Sequence, residues 1–254
     1  MRKKYPILEF DSAPTAVIEP SEYKKPIDIA EHCVICFFLD VIEYVRKKHR
    51  AKVVGKDKWE SGTRYFYEIN YRKKRLAFLH PGVGAPSAAA MLEVAIAKGC
   101  RKFIVCGGAG VIEKDLHVGH IIIPSAAIRD EGTSYHYLPP GREVAPSPQA
   151  LLAIGKTLKQ SGVKYSTGKT WTIDAPYRET KKKVLLRRKE GCLTVEMEAA
   201  SLFAVAKFRN VTLGQILYAG DDVSGDEWDT RRWQSREKVR QKLFWLAADA
   251  CLKL

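Results

Sequence analysis

Apolar residues in this chain follow two rhythms. Short, nearly continuous apolar runs at 33–38, 76–79, 102–106, 120–123 and 213–219 predict buried strands. Residues 63–71 alternate apolar and polar, which predicts a strand that returns through the polar turn 71–75 into 76–79, and 168–173 predicts a further strand. Between the runs, helical spacing takes over. Residues 39–48 place apolar side chains at Leu39, Ile42 and Val45, with Val41 beside them. Residues 87–98 are rich in alanine and end at Gly99, a C-cap residue. Residues 149–160, the basic 181–190, the strongly apolar 195–208 and the long amphipathic 230–252 complete the predicted helices.

Strands alternating with helices predict an α/β fold, a single domain with a mixed central sheet flanked by helices on both faces. Residues 1–32, with Pro6, Pro14, Pro20 and Pro26 among charged residues, read as an extended N-terminal arm, and 33–254 as the domain. In such sheets ligands collect at the C-terminal ends of strands. That singles out three turns, 82–87, 107–110 and 220–225.

The 254 residues carry 46% hydrophobic and 28% charged side chains, enough for one substantial core. The formal net charge of +14 favours anionic partners. The basic clusters at 46–50, 52–58, 181–183 and 187–189 lack interleaved aromatics, so nucleic acid is not the expected partner. Cys33 and Cys36 form a C-x-x-C inside an apolar run without a second such pair, so reduced structural thiols are expected rather than a metal or redox site. There is no apolar stretch of the signal-peptide or membrane-spanning kind; a cytoplasmic protein without membrane contact is expected.

Three segments carry candidate chemistry. Gly107-Gly108-Ala109-Gly110 follows a buried strand and lets backbone N–H groups come close to an anion or sugar. It fits neither a dinucleotide-binding fingerprint, since Glu113 stands at the third glycine position, nor a phosphate loop ending in Gly-Lys-Ser/Thr. Glu196-Met197-Glu198-Ala199-Ala200 sets two carboxylates in apolar surroundings, where they need donors such as sugar hydroxyls. Asp221-Asp222 ends a buried strand; it reads either as a turn pair or as an acid that protonates a leaving base.

Together with the loop His80–Ser87 (His-Pro-Gly-Val-Gly-Ala-Pro-Ser) and Val118-Gly119-His120-Ile121-Ile122, these segments resemble the nucleoside phosphorylase/nucleosidase superfamily over about residues 80–222. The resemblance implies breakage of the bond between a ribose and a nucleobase. It implies that Glu198 grips the ribose hydroxyls, Met197 packs on the sugar, Glu196 orients sugar or base, and Asp221 acts as general acid at the purine N7 side. It also implies a base pocket including Tyr177, Gly110 and Val195, and a homo-oligomer. No metal-binding cluster is visible among the residues, and no cofactor is expected. Inorganic phosphate is the implied co-substrate, with Gly84, Ser87, Gly107 and Gly108 as candidate contacts.

The chain also departs from the family. After the first strand stands Phe37-Phe38-Leu39-Asp40-Val41 instead of a Gly-Asp-Pro-x-Arg loop, and Val105 and Gly108 occupy positions where the family places an Arg and a Ser or Thr. Either other cations, with Arg46, Arg50 and Arg64 as candidates, hold phosphate, or water is the nucleophile and the enzyme is a nucleosidase. Arg178-Glu179-Thr180 after Tyr177 lacks the uridine-type Gln-x-Arg, so a purine is mildly preferred. The polar and aromatic segment 129–137 lines either the pocket or a subunit contact, with His136 expected at the surface. A non-catalytic nucleoside or nucleotide binder on this fold, and a charge-driven nucleic-acid module, rank below the enzyme.

Overall fold

The computed structural model describes residues 2–254. Residues ahead of the first strand hold only a 3-10 turn, Pro6–Leu8, and one helical turn, α1 (Pro20–Tyr23). Strand β1 (His32–Cys36) then enters the interior, buried at all but its first residue. It leads into α2 (Leu39–Lys48), whose buried stripe is Val41, Ile42 and Val45. A three-stranded antiparallel meander follows: β2 (Lys52–Trp59), β3 (Gly62–Tyr71) and β4 (Lys74–Leu79). β2 was not expected from the sequence, where its lysines read as a basic cluster. It is an edge strand whose exposed side carries Lys52, Lys56 and Lys58, as edge strands tolerate.

α3 (Ala85–Lys98) connects to the central strand β5 (Lys102–Val111), and β6 (Ile121–Asp130) follows, paired at its far end with the two-residue β7 (Glu143–Val144). α4 (Pro148–Gln160), β8 (Tyr165–Ile173), α5 (Lys181–Lys189), β9 (Cys192–Glu196), α6 (Ala199–Phe208), β10 (Thr212–Asp222) and α7 (Glu237–Cys251) complete the chain. The sheet runs β10-β6-β8-β9-β5-β1-β4-β3-β2, and β10 also pairs with β5 in parallel. That extra pairing closes β5, β10, β6, β8 and β9 into a ring. Helices α2, α4 and α7 cover one face, and α3 and α6 the other.

Three sequence expectations need correction. Residues 107–110 do not turn: they continue β5, because Gly107, Gly108 and Ala109 keep the parallel ladder with Leu217, Tyr218 and Ala219. The predicted helix at 195–208 begins only at Ala199. β-branched Thr194 and Val195 instead join the sheet, Val195 pairing with Gly110 and with Trp171. The predicted helix at 230–252 begins only at Glu237. Before it, Arg231 and Arg232 adopt left-handed backbone, which a helix cannot continue through, and Asp229 bridges back to Asp222.

All six cysteines are free and buried. Cys33 packs toward the α3/α6 side and Cys36 toward the α2/α4/α7 side, so the C-x-x-C does not present two thiols to one ligand. No helix among the described residues is long and apolar enough to cross a membrane.

Trp171 anchors the ring. It is fully buried on β8, its indole N–H donates to Asp130 at 3.0 Å, and Lys183 and Arg187 from α5 lie over its ring. Trp171→Ala is expected to lower the unfolding free energy by about 3–5 kcal/mol in urea denaturation.

Candidate active site

The carboxyl ends of β5, β9 and β10 converge on a cavity of about 280 Å³. Gly107, Gly108 and Gly110 of β5 form its floor. Val195 and Glu196, at the end of β9, and Met197 and Glu198, from the turn between β9 and α6, form one wall. Tyr218 and Asp221 of β10 form another, and Phe37 and Phe38, after β1, close one end. Glycine leaves room where the strands come close. A Cβ on Gly108 would stand 3.0 Å from the Tyr218 ring, and one on Gly110 would stand 3.0 Å from Val195 and 3.7 Å from the Asp221 carboxylate.

Glu196 ends β9 and is enclosed. Its Oε1 accepts from the Thr172 hydroxyl at 2.6 Å, and its Oε2 accepts from the backbone N–H groups of Glu198 and Ala199 at 2.8 and 2.7 Å. Thr172 in turn accepts from the Ala200 N–H through its hydroxyl, at 3.0 Å. Glu196 and Thr172 together therefore satisfy the free N–H groups at the start of α6. With both oxygens engaged by these donors, Glu196 fixes the turn that carries Met197 and Glu198, and it also lines the cavity.

Glu198 is 6% exposed and lines the cavity. Its Oε1 accepts from the Gly84 N–H at 2.5 Å. Gly84 has φ +94°, a conformation suited to glycine, and is the N-cap residue just ahead of α3. Burial raises the pKa of both carboxyls above the ordinary 4.5, and for Glu198 the nearby Glu196 charge adds to the effect.

Asp221 and Asp222 separate in role. Asp222 pairs with Arg231 and accepts from the Ser224 N–H at 2.7 Å, the turn function expected of such a pair. Asp221 faces the cavity and accepts from the Trp228 indole N–H at 2.7 Å.

The cavity thus brings together Glu196, Met197, Glu198, Asp221, Val195, Gly107, Gly108 and Gly110 from the residues singled out in the sequence. Three others lie elsewhere. Tyr177 is 99% exposed on the 3-10 turn Pro176–Arg178; that turn carries its ring outward and returns Glu179 to the cavity instead. Ser87 donates to the Pro81 carbonyl at 2.9 Å and closes the 81–87 loop from within. Gly84 spends its N–H on Glu198, so it holds a carboxylate rather than a phosphate.

Sequence reasoning missed Glu179, Gln215, Trp233 and Arg240, all of which line the cavity. Glu179 and Gln215 had no signal beyond a polar residue near or within an apolar run. Burial, and then the Asp221 charge, push the Glu179 carboxyl up to about 7. A larger cavity, about 1240 Å³, lies between residues 11–24 and α3, and none of the site residues expected from the sequence lines it.

A carboxyl whose native pKa is raised stabilises the fold while protonated. That contribution is complete below the unfolded value of about 4.5 and is lost as pH rises through the native value. For Glu198 the unfolding free energy of the wild type, relative to Glu198→Gln, is therefore expected to fall as pH rises from about 4.5 into the neutral range. Urea denaturation of both proteins across that range checks the slope. Thr172→Val removes one hydroxyl that serves both Glu196 and Ala200; a loss of about 1–3 kcal/mol in the same assay is expected.

Comparison with known proteins gives the family and the fold. A family model described as the phosphorylase superfamily matches residues 31–251. The chain is 27% identical over 180 residues to a guanosine phosphorylase of Halorubrum lacusprofundi, covering 68% of this chain and 75% of the relative. It is 30% identical over 178 residues to a DeoD-type purine nucleoside phosphorylase of Shewanella oneidensis, again covering 68% and 75%. In fold it is similar to an AMP nucleosidase from Bacteroides thetaiotaomicron, with TM-score 0.69 and 23% identity over 88% of this chain and 87% of that one. It is similar in the same way to a uridine phosphorylase from Vibrio fischeri, with TM-score 0.74 and 20% identity over 89% and 94%. With a family match that spans residues 31–251, this protein belongs to the phosphorylase superfamily.

Proposed function

We propose that this protein cleaves the N-glycosidic bond of a purine nucleoside in the cavity between Glu198 and Asp221. The observation that carries the reading is that these two carboxyl groups, remote in sequence, line one small cavity, with Gly110 leaving space beside Asp221. Cleavage passes through a sugar cation resembling an oxocarbenium ion. A carboxylate beneath the sugar favours that cation, and a proton delivered to the base favours departure. Glu198, held at one oxygen by Gly84, presents the other side of its carboxyl to the sugar hydroxyls. Donors from those hydroxyls favour its ionised form and so offset the burial that raises its pKa. Met197 supplies an apolar surface for the sugar ring. Asp221 stands where a purine N7 would receive a proton, with Trp228 fixing the carboxylate's orientation.

The family relation favours phosphate as the nucleophile. A specific observation supports the second reading, hydrolysis: Val105, Gly108 and the Phe37-Phe38 pair replace the phosphate contacts the family supplies from its strand ends. Incubation with a panel of nucleosides, with and without phosphate, separates the two. Ribose 1-phosphate indicates phosphorolysis and free ribose indicates hydrolysis. Glu198→Ala and Asp221→Ala are each expected to lower kcat/KM about 10²–10⁴-fold. Tight nucleoside binding without base release in the wild type contradicts the enzymatic reading.

A further inference from the structure

The cavity has two ends. Asp221 and Val195 stand beside Gly110 at one; at the other, Tyr218 stands beside Gly108 with its ring against Phe38, over which Arg240 lies. Among the described residues, Arg240 is the one Lys, Arg or His side chain that lines it. It comes from the first turn of α7, an element outside the residue range that carried the family resemblance. Its guanidinium carbon lies 5.0 Å from the Phe38 ring centre and 5.6 Å from the Trp233 ring centre, and its side chain is only 11% exposed. Aromatic faces on both sides hold the planar group in place without consuming its donors.

Few of those donors are used. Nη1 donates to Asp40 at 3.1 Å, and Nε is buried without a hydrogen-bond partner among the described residues. Gln215 is 1% exposed, and its Oε1 likewise has no partner among them. Gln215 stands in register with Val105, one strand over from the position where an arginine was expected. A buried guanidinium N–H without an acceptor is costly unless a ligand supplies one, and the Gln215 amide, which lines the same cavity, can add N–H donors to that ligand. The three cations considered from the sequence do not serve this end. Arg46 is tied to Glu43 on α2, Arg50 is exposed beyond that helix, and Arg64 lies against Gly82 and outside the cavity lining.

We propose that Arg240 and Gln215 form the dianion subsite of this cavity, so that the C-terminal helix and β10 supply the phosphate contacts that β1 and β5 lack. The inference rests on the nucleoside-cleaving reading and names the group that Arg240 takes: a phosphate, whose tetrahedral oxygens match the guanidinium fork and the amide donor. The phosphate has two sources. As inorganic phosphate, one of its oxygens bonds to ribose C1′ while the C1′–N bond breaks. The electron pair leaves on the base, which overall gains the proton that phosphate gives up. As the 5′-phosphate of a nucleoside monophosphate, it anchors the substrate. A water oxygen then bonds to C1′, and overall one water proton goes to the base.

Calorimetric titration with inorganic phosphate and with ribose 5-phosphate tests the subsite, using wild type, Arg240→Met and Arg240→Lys checked for folding by thermal melts. Wild type is expected to bind one of the two anions, Arg240→Met to weaken it about tenfold or more, and Arg240→Lys to lose less. In steady state, the KM for the phosphate-bearing reactant should rise in Arg240→Met more than kcat falls. Tighter inorganic phosphate with ribose 1-phosphate as product assigns the first source. Tighter ribose 5-phosphate, with nucleoside 5′-monophosphates as the better substrates, assigns the second. Gln215→Glu, which places a negative charge beside the same anion, should weaken binding too, and it keeps the test open if Arg240→Met does not fold. Failure of wild type to bind either anion, or unchanged affinity in the folded variants, overturns the proposal. Base release that persists in Glu198→Ala would overturn the underlying reading instead, so the two failures are distinct.

Discussion

Glu196 is enclosed where β9 ends, and an enclosed carboxyl needs donors. It finds them in the Thr172 hydroxyl and in two N–H groups at the start of α6. That arrangement meets two demands at once, because the helix start also leaves N–H groups in need of acceptors. The turn between β9 and α6 thereby has little freedom. Met197 and Glu198 emerge from it in fixed directions, and the Gly84 N–H takes hold of Glu198 from across the cavity. The rest of the site depends on this local solution: the cavity-lining Glu198 carboxyl is positioned by a second carboxyl that fixes the turn it emerges from.

The ring of β5, β10, β6, β8 and β9 places that turn opposite Asp221. β5 pairs with β10 along most of its length and with β9 only at Gly110 and Val111. The cavity opens where the two neighbours diverge, and glycines on β5 leave the space a side chain would fill. The segment 223–236 then folds over β10. Arg231 is secured by Asp222, which leaves Asp221 to Trp228 and to the cavity. One member of the aspartate pair holds the fold, and its neighbour is available for chemistry.

Much of this was legible in the sequence. The apolar runs located β1, β4, β5, β6, β8 and β10, and the Glu-Met-Glu motif with Asp221 located residues that line one cavity. What was not legible depended on tertiary context. β2 is an edge strand with lysines on its outer side, so its composition concealed it. Gly107 to Gly110 carried the signal of a turn, yet their missing side chains serve close strand packing. The Glu-Met-Glu segment looked like the start of a helix because its apolar neighbours suit either a helix or a strand, and pairing with β8 decided the matter. Tyr177 and Glu179 sit two residues apart on a tight turn, and only coordinates reveal which of them faces inward. Arg240 belongs to a helix whose spacing was plain, but its place between Phe38 and Trp233 depends on contacts across 202 positions of chain for one ring and on a left-handed bend for the other.

The central claim is that the Glu198 and Asp221 carboxyls address a single substrate, sugar at one and base at the other. A crystal structure with a bound, uncleaved purine nucleoside analogue tests it most directly. The account predicts ribose hydroxyls within hydrogen-bond distance of Glu198, and the purine N7 edge turned to Asp221, inside the cavity floored by Gly107 to Gly110. An analogue seated in the larger cavity beside α3, or one that touches only one of the two carboxyls, contradicts it.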